Sequence, residues 1–221
     1  MGQPIDLIAG LGNPDPEYLS TRHNAGFWLV DALAAAHGAS FSANRKLEAD
    51  TAEITLAGRR IRLLKPMTYM NESGRALAKA VAYFKIPREH VLVVYDELDF
   101  PPGRAQLRFG GGAAGHNGLR SVIAHLGRDI WRIRIGVGHP GERSRVTGHV
   151  LRRAPAAEEE LILDSIRAAI EALPVLIEHG GERAKTKLHT TPADPVDPVD
   201  SVDSVDSVDS VDPVDPVDPA D

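Results

Sequence analysis

The chain contains no cysteine, which excludes disulfide staples, a thiolate nucleophile and cysteine-bound zinc together. Any nucleophile must therefore be an oxygen, a lysine amine or water. Aromatic residues are scarce at 5 %, and no apolar run approaches the roughly 20 residues a membrane span needs. The opening residues have no basic segment followed by an apolar one, so no signal peptide is expected; a cytoplasmic protein without a membrane partner is the default. The nine histidines show no His-Glu-x-x-His or related spacing, so no metal is expected. None of the seven serines before residue 190 sits in a Gly-x-Ser-x-Gly elbow, which leaves water as the favoured nucleophile.

What is present supports one sizeable core: 221 residues, 43 % of them apolar. The net charge of −6 is misleading, because ten of the 31 acidic residues are Asp in the last thirty positions. Without them 21 acidic residues face 25 basic ones, a mildly basic body that permits an anionic partner. Residues 190–221 repeat Asp-Pro-Val and then Asp-Ser-Val units, read as a disordered acidic tail with too little apolar surface to order it. Residues 1–189 are expected to form a single catalytic domain.

In that part, short apolar runs alternate with helical patterns. Strands are expected at 5–10, 48–56, 60–64, 91–95, 105–109 and 131–137, and helices at 24–37, 72–84, 118–126 and 157–178, the last kinked at Pro174. The alternation of Trp131, Ile133 and Ile135 with Arg132 and Arg134 predicts a strand buried on one face and basic on the other. These elements imply an α/β fold, a three-layer α/β/α sandwich around a mixed, centrally parallel sheet.

Ligands of open α/β sheets sit beyond the carboxyl ends of the parallel strands, where Asn13 and Asp96 fall. His23 is expected in the first turn of a helix, whose positive end disfavours imidazolium and keeps the ring able to accept a proton. A carboxylate such as Asp96 on the far ring nitrogen fixes the tautomer and stabilises the cation formed during reaction. Structural readings stand beside these: His23 packing near a helix start, Asp96 ending a strand, Asn71 capping the following helix, Asn24 serving structure alone. Asn13, Asn71 and Asn117 lie at element boundaries, and their amides suit hydrogen bonding to a developing oxyanion or a peptide backbone. The glycine-rich segment at 110–112 matches no phosphate-loop pattern and is read as a flexible loop that lets a ligand approach closely. Arg104, Arg108, Arg120, Arg128, Arg132, Arg134, Arg143 and Arg145 concentrate in the second half, three of them flanking or within strands expected to end near the cleft, and arginine favours bidentate phosphate contact, although scattered solvated arginines are commoner than a binding face.

Six blocks occur in family order over nearly the whole chain to about His189: Gly10-Leu11-Gly12-Asn13-Pro14 with Tyr18; Thr21-Arg22-His23-Asn24-Ala25-Gly26; residues 65–74 from Lys65 to Gly74; Asp96-Glu97-Leu98-Asp99; Gly115-His116-Asn117-Gly118-Leu119; and Gly136-Val137-Gly138-His139-Pro140. Together they resemble the bacterial peptidyl-tRNA hydrolases. The resemblance implies a monomeric, cofactor-free α/β/α sandwich that hydrolyses the ester between a peptide and the 3′-terminal ribose of tRNA, recycling tRNA from abandoned translation. By that likeness His23 is the base and Asp96 keeps it basic. Asn13 separates blocked from free aminoacyl groups, while Asn71 and Asn117 bind the substrate end or position water. Tyr18, Tyr69 and Met70 belong to the same substrate site, and Arg108, Arg134 and Arg143 contact tRNA phosphates; neither DNA nor a membrane is implied as partner. An RNA chaperone or splicing-type partner that keeps this fold without turnover, and a nucleoside-processing or general small-ester hydrolase, are the competing functions. Intact His23, Asp96 and Asn13 argue against the first, and the abundant arginine near the cleft against the second.

Overall fold

β1 (Leu7–Gly10) and β5 (Val91–Glu97) are continuous apolar runs, as strands covered on both faces must be, and every residue of both is buried. The structure is a computed structural model and describes residues 2–189; the expected acidic tail lies outside the described residues. Seven strands form one sheet in the order β2-β3-β4-β1-β5-β7-β6. The central four, β4 (Arg59–Pro66), β1, β5 and β7 (Trp131–Gly136), run parallel. β2 (Ser42–Asn44), β3 (Ala49–Leu56) and β6 (Ala105–Phe109) join antiparallel at the edges. The expected sandwich is the observed one, with the short, half-polar β2 as an addition that the sequence pattern did not reveal.

The period of two along each strand divides the core. Ile8, Leu92, Val94, Ile133 and Ile135 face one layer, packed with residues of α1 (Ala25–Ala36) and α5 (Ala156–His179). Leu7, Ala9, Val91, Val93 and Tyr95 face the other, with residues of α2 (Ser73–Phe84) and α3 (Asn117–Leu126). Asp96 follows Leu92 and Val94 in parity, so its carboxylate emerges at the strand end on the α1 side.

Two glycines let α1 descend onto that end. A Cβ on Gly26 would lie 2.4 Å from the Val94 carbonyl oxygen and 2.5 Å from the Leu11 nitrogen, and one on Gly10 would lie 2.2 Å from the Gly26 oxygen. Any larger residue would push the helix, and the turn before it, away from β1 and β5.

The basic face expected of β7 is present, but it too is covered. Arg132 is 1 % exposed, and its guanidinium donates to the carbonyls of Gly111 and Gly112 at 2.7 Å each. The segment read as a flexible loop is therefore tied down, and the second face of β7 is covered by it. Arg134, on the same face, donates to Glu97 at 2.8 Å and lies over the Phe100 ring. Two short helices, α4 (Val146–Val150) and α6 (Gly181–His189), also lacked a sequence signal. No helix among the described residues is long and apolar enough to cross a membrane.

Candidate active site

The loop after β1, the turn before α1, the end of β5, the turn before α2 and the start of α3 meet in an open cleft of about 360 Å³. His23 occupies a short 3-10 turn, Arg22–Asn24, immediately ahead of α1 rather than inside it. Its Nδ1 lies 2.9 and 3.0 Å from the two Asp96 oxygens. A carboxylate there can only accept, so Nδ1 carries the proton and Nε2 keeps its lone pair. The ring lines the cleft with its side chain 13 % exposed.

The expected carboxylate partner dominates the electrostatics of the ring. Burial opposes a charge on the ring, but the adjacent Asp96, through its charge and its hydrogen bond, outweighs burial and raises the His23 pKa above its ordinary 6.5. Asp96 is buried, which by itself favours the neutral acid; the two imidazoles against it reverse that and hold it well below the usual carboxylate range.

The second imidazole belongs to His116, a residue to which sequence reasoning gave no role. Its Nδ1 accepts from the Leu119 N–H at 3.1 Å, capping α3, so the Nε2 proton points at Asp96 Oδ1, 2.9 Å away. The available signal was its position at a helix start beside Asn117. His23, Asp96 and His116 present ligand atoms within 4.8 Å of one another, but both rings spend N–H donors on the carboxylate. The trio is a hydrogen-bonded chain, and a cation would have to displace those protons.

Asn13 is 7 % exposed and lines the cleft. Its Oδ1 accepts the Met70 N–H at 2.8 Å, so its Nδ2 donors are the part left for a ligand. Asn24 takes the structural role expected of it, since its side chain bonds the Asn13 backbone. Tyr69, Met70, Asn71 and Asn117 also line the cleft. Asn71 lies in the 3-10 turn Met70–Glu72, and Glu72 occupies the cap position of α2, so the capping alternative for Asn71 does not hold. Tyr69 is 58 % exposed, and the charge and hydrogen bond of Asp15 raise its pKa.

Tyr18 is not among the residues lining the cleft; it lies in the turn Pro16–Tyr18, near Tyr69 and beside Glu17, whose hydrogen bond and charge raise its pKa. Of the three arginines, Arg108 is exposed on edge strand β6 and Arg143 is exposed in the turn Arg143–Arg145. The guanidinium of Arg134 is engaged by Glu97, with side chains 14 % and 7 % exposed. The opposite wall of the cleft, unforeseen from the sequence, comes from Val146, Thr147, Val150 and Leu151.

Such an arrangement can take a proton from a bound water, hold the resulting cation and donate amide hydrogens to an acyl oxygen. Known proteins resemble this chain in both sequence and fold. A family model described as Peptidyl-tRNA hydrolase matches residues 7–195. The peptidyl-tRNA hydrolase of Vibrio parahaemolyticus is 46 % identical over 196 residues, covering 88 % of this chain and all of that protein. That of Pseudomonas paraeruginosa is 49 % identical over 191 residues, 86 % of this chain and 98 % of the relative. The crystal structure of peptidyl-tRNA hydrolase from Acinetobacter baumannii superposes with a TM-score of 0.83 at 41 % identity, covering 86 % of this chain and 97 % of that one. By sequence and by fold the chain is an enzyme of the peptidyl-tRNA hydrolase family.

Proposed function

We propose that the protein hydrolyses the ester joining a peptide, or an N-blocked amino acid, to the 3′-terminal ribose of tRNA, with His23 activating water. The observation that carries this reading is the His23–Asp96 pair, with Nδ1 held at 2.9 Å and Nε2 turned to an amide-lined cleft. Nε2 removes a proton from water as the oxygen adds to the acyl carbon. The new oxyanion accepts from Asn13 Nδ2, with Asn117 at the α3 start as a further amide donor. Asp96 stabilises the imidazolium meanwhile. The intermediate then collapses: the bond from the acyl carbon to the ribose oxygen breaks, and His23 returns its proton to that oxygen. The products are a free carboxylic acid and a tRNA with its 3′-terminal ribose hydroxyl restored. General-base assistance of this kind contributes about 10² to 10⁴ in rate, enough for an activated ester.

Selectivity for blocked substrates follows from the lining. Asp96 and Glu97 are the carboxylates of the cleft among the described residues, and both are already paired. A free α-ammonium would enter without a partner, at a cost of several kcal/mol on ordinary desolvation figures of about 2–7 kcal/mol even for neutral polar groups. An acylated nitrogen needs only a hydrogen bond. The cleft is built from one chain, so a monomer suffices. A substrate made by translation places the reaction in the cytoplasm, where it would recycle tRNA from abandoned synthesis.

The test compares cleavage of N-acetyl-aminoacyl-tRNA, the unblocked aminoacyl-tRNA and small free esters. Preferential release from the blocked tRNA supports the proposal. Binding of tRNA without cleavage, or equal cleavage of all three, would replace it with a binding or a general esterase function.

A further inference from the structure

Immediately before His23 stands a buried cation that the chemistry above does not use. Arg22 is 5 % exposed, and its guanidinium binds the segment that carries the Val146–Leu151 wall of the cleft. Nη1 lies 3.3 Å from the His149 carbonyl oxygen, 3.4 Å from that of Arg152 and 3.3 Å from that of Arg153. Nη2 donates to Glu158 Oε2 on α5 at 2.7 Å. The backbone adds to this grip: the Arg22 N–H donates to the Arg152 oxygen at 3.3 Å, and Thr21 bridges Arg153.

Besides Arg22, the wall is held by His149 Nε2, which donates to the Val137 carbonyl oxygen at 3.0 Å, and by the exposed Arg153–Glu159 pair. α4 is five residues long, shorter than any helix stable by itself, and Val150 is its one buried residue. Gly148 has no atom within 4 Å of the place a Cβ would take, which leaves that side of the turn open. The carbonyls Arg22 binds belong to the end of α4 and the residues after it, where a cation is electrostatically favoured. A planar guanidinium can serve several acceptors in fixed directions, which an ammonium cannot.

We propose that Arg22 is a positioning residue, a strut that holds the α4 wall at a set distance from the His23 turn and thereby fixes the width of the cleft. Val146, Val150 and Leu151 line that wall, an apolar surface suited to the acyl part of the substrate, in the same cleft as the amides of Asn13 and Asn117. Arg22 touches neither water nor ester. It determines whether the acyl group is held where the base can act, so its loss falls on substrate binding. This inference rests on the proposed esterase function, but the wall can also be probed without substrate.

The experiment uses the full chain with Arg22→Lys and, separately, Glu158→Gln. Hydrogen exchange of the 146–153 amides is followed without substrate, and steady-state cleavage of N-acetyl-aminoacyl-tRNA is measured over pH. For Arg22→Lys the expected result is faster exchange across 146–153 with β5 amides unchanged, KM raised about tenfold as charge-assisted hydrogen bonds are lost, and the pH midpoint of the rate unmoved. Glu158→Gln should show the same pattern more weakly, since it keeps an acceptor but loses the charge. Unchanged exchange and KM in a folded Arg22→Lys protein overturns the proposal, and so does a fall in kcat with a shifted pH midpoint. Should Arg22→Lys fail to fold, Glu158→Gln decides: no change in exchange or KM overturns the strut. Absence of turnover in the unaltered protein would refute the esterase reading, while exchange would still judge the wall.

Discussion

Asn24 grips the backbone of Asn13 at both ends: its Oδ1 accepts the Asn13 N–H and its Nδ2 donates to the Asn13 carbonyl, each at 2.9 Å. Asn24 is fully buried, so the side chain next to the base sets the conformation of the loop that carries the amide donor. Asn24→Ala leaves a buried N–H and a buried carbonyl unpaired, each costing about 1–3 kcal/mol. Chemical denaturation should register that loss. Asn24→Asp, which can accept but not donate while ionised, should recover part of the stability and little of the activity.

His23→Ala should reduce turnover of an N-blocked aminoacyl-tRNA about 10² to 10⁴-fold, the usual value of a general base, with the fold kept and stability lowered by about 1.5–3 kcal/mol as buried Asp96 loses one donor. Background rates equal to the unaltered protein would remove His23 from the mechanism.

The base works in its neutral form, so kcat/KM should rise with pH through a midpoint above 6.5, because Asp96 raises the His23 pKa. Asp96→Asn removes the charge responsible and should move the midpoint down, with a lower plateau because the imidazolium loses its stabiliser. A midpoint that stays in place in Asp96→Asn would separate the titration from this pair.

His116 divides the Asp96 charge with His23. His116→Asn keeps a good helix cap but is too short to reach Asp96, so the full carboxylate charge falls on His23. The expected outcome is a pH midpoint displaced upward, with stability lowered by about 1.5–3 kcal/mol as the buried carboxylate loses one donor. A downward displacement would mean that His116 supports the basicity of His23 instead of moderating it.

Arg108 and Arg134 should respond differently to alanine. Arg108 is exposed, so Arg108→Ala should weaken tRNA affinity and lower the slope of log affinity against log salt by about 1, as for one phosphate contact, without loss of stability. Arg134→Ala strands Glu97, which is 5 % exposed, and should lower stability by about 3–5 kcal/mol. Parallel salt titrations and denaturation curves distinguish the two.

Stability should also fall in acid. Asp96 titrates below its ordinary 3.8 in the folded chain, so its contribution is complete above that value and is lost as pH falls beneath it, where the unfolded chain takes up a proton first. The stability difference between the parent and Asp96→Asn should therefore narrow below pH of about 4.

Much of the fold was legible because burial on two faces leaves a plain mark. The runs 91–95 and 5–10 could only be central strands, and their carboxyl ends placed Asn13 and Asp96 together. α4 and α6 were not legible: short polar helices held by a few contacts carry almost no periodicity, and α6 buries only Ala184 and Leu188. The alternation in β7 correctly assigned Arg132 and Arg134 to one face. It held no information on whether a distant loop covers that face.

The sequence by itself determined the layers, the strand that delivers Asp96, the turn that delivers His23 and the presence of amides around them, since each follows from local periodicity and chain order. Only the tertiary structure decided that His116 shares the carboxylate, that Arg132 is enclosed and that Arg22 binds the carbonyls at the end of α4. Those contacts join positions 20 to more than 100 residues apart. Their energies depend on which groups are deprived of water together, a property of the assembled fold that no stretch of the chain encodes alone.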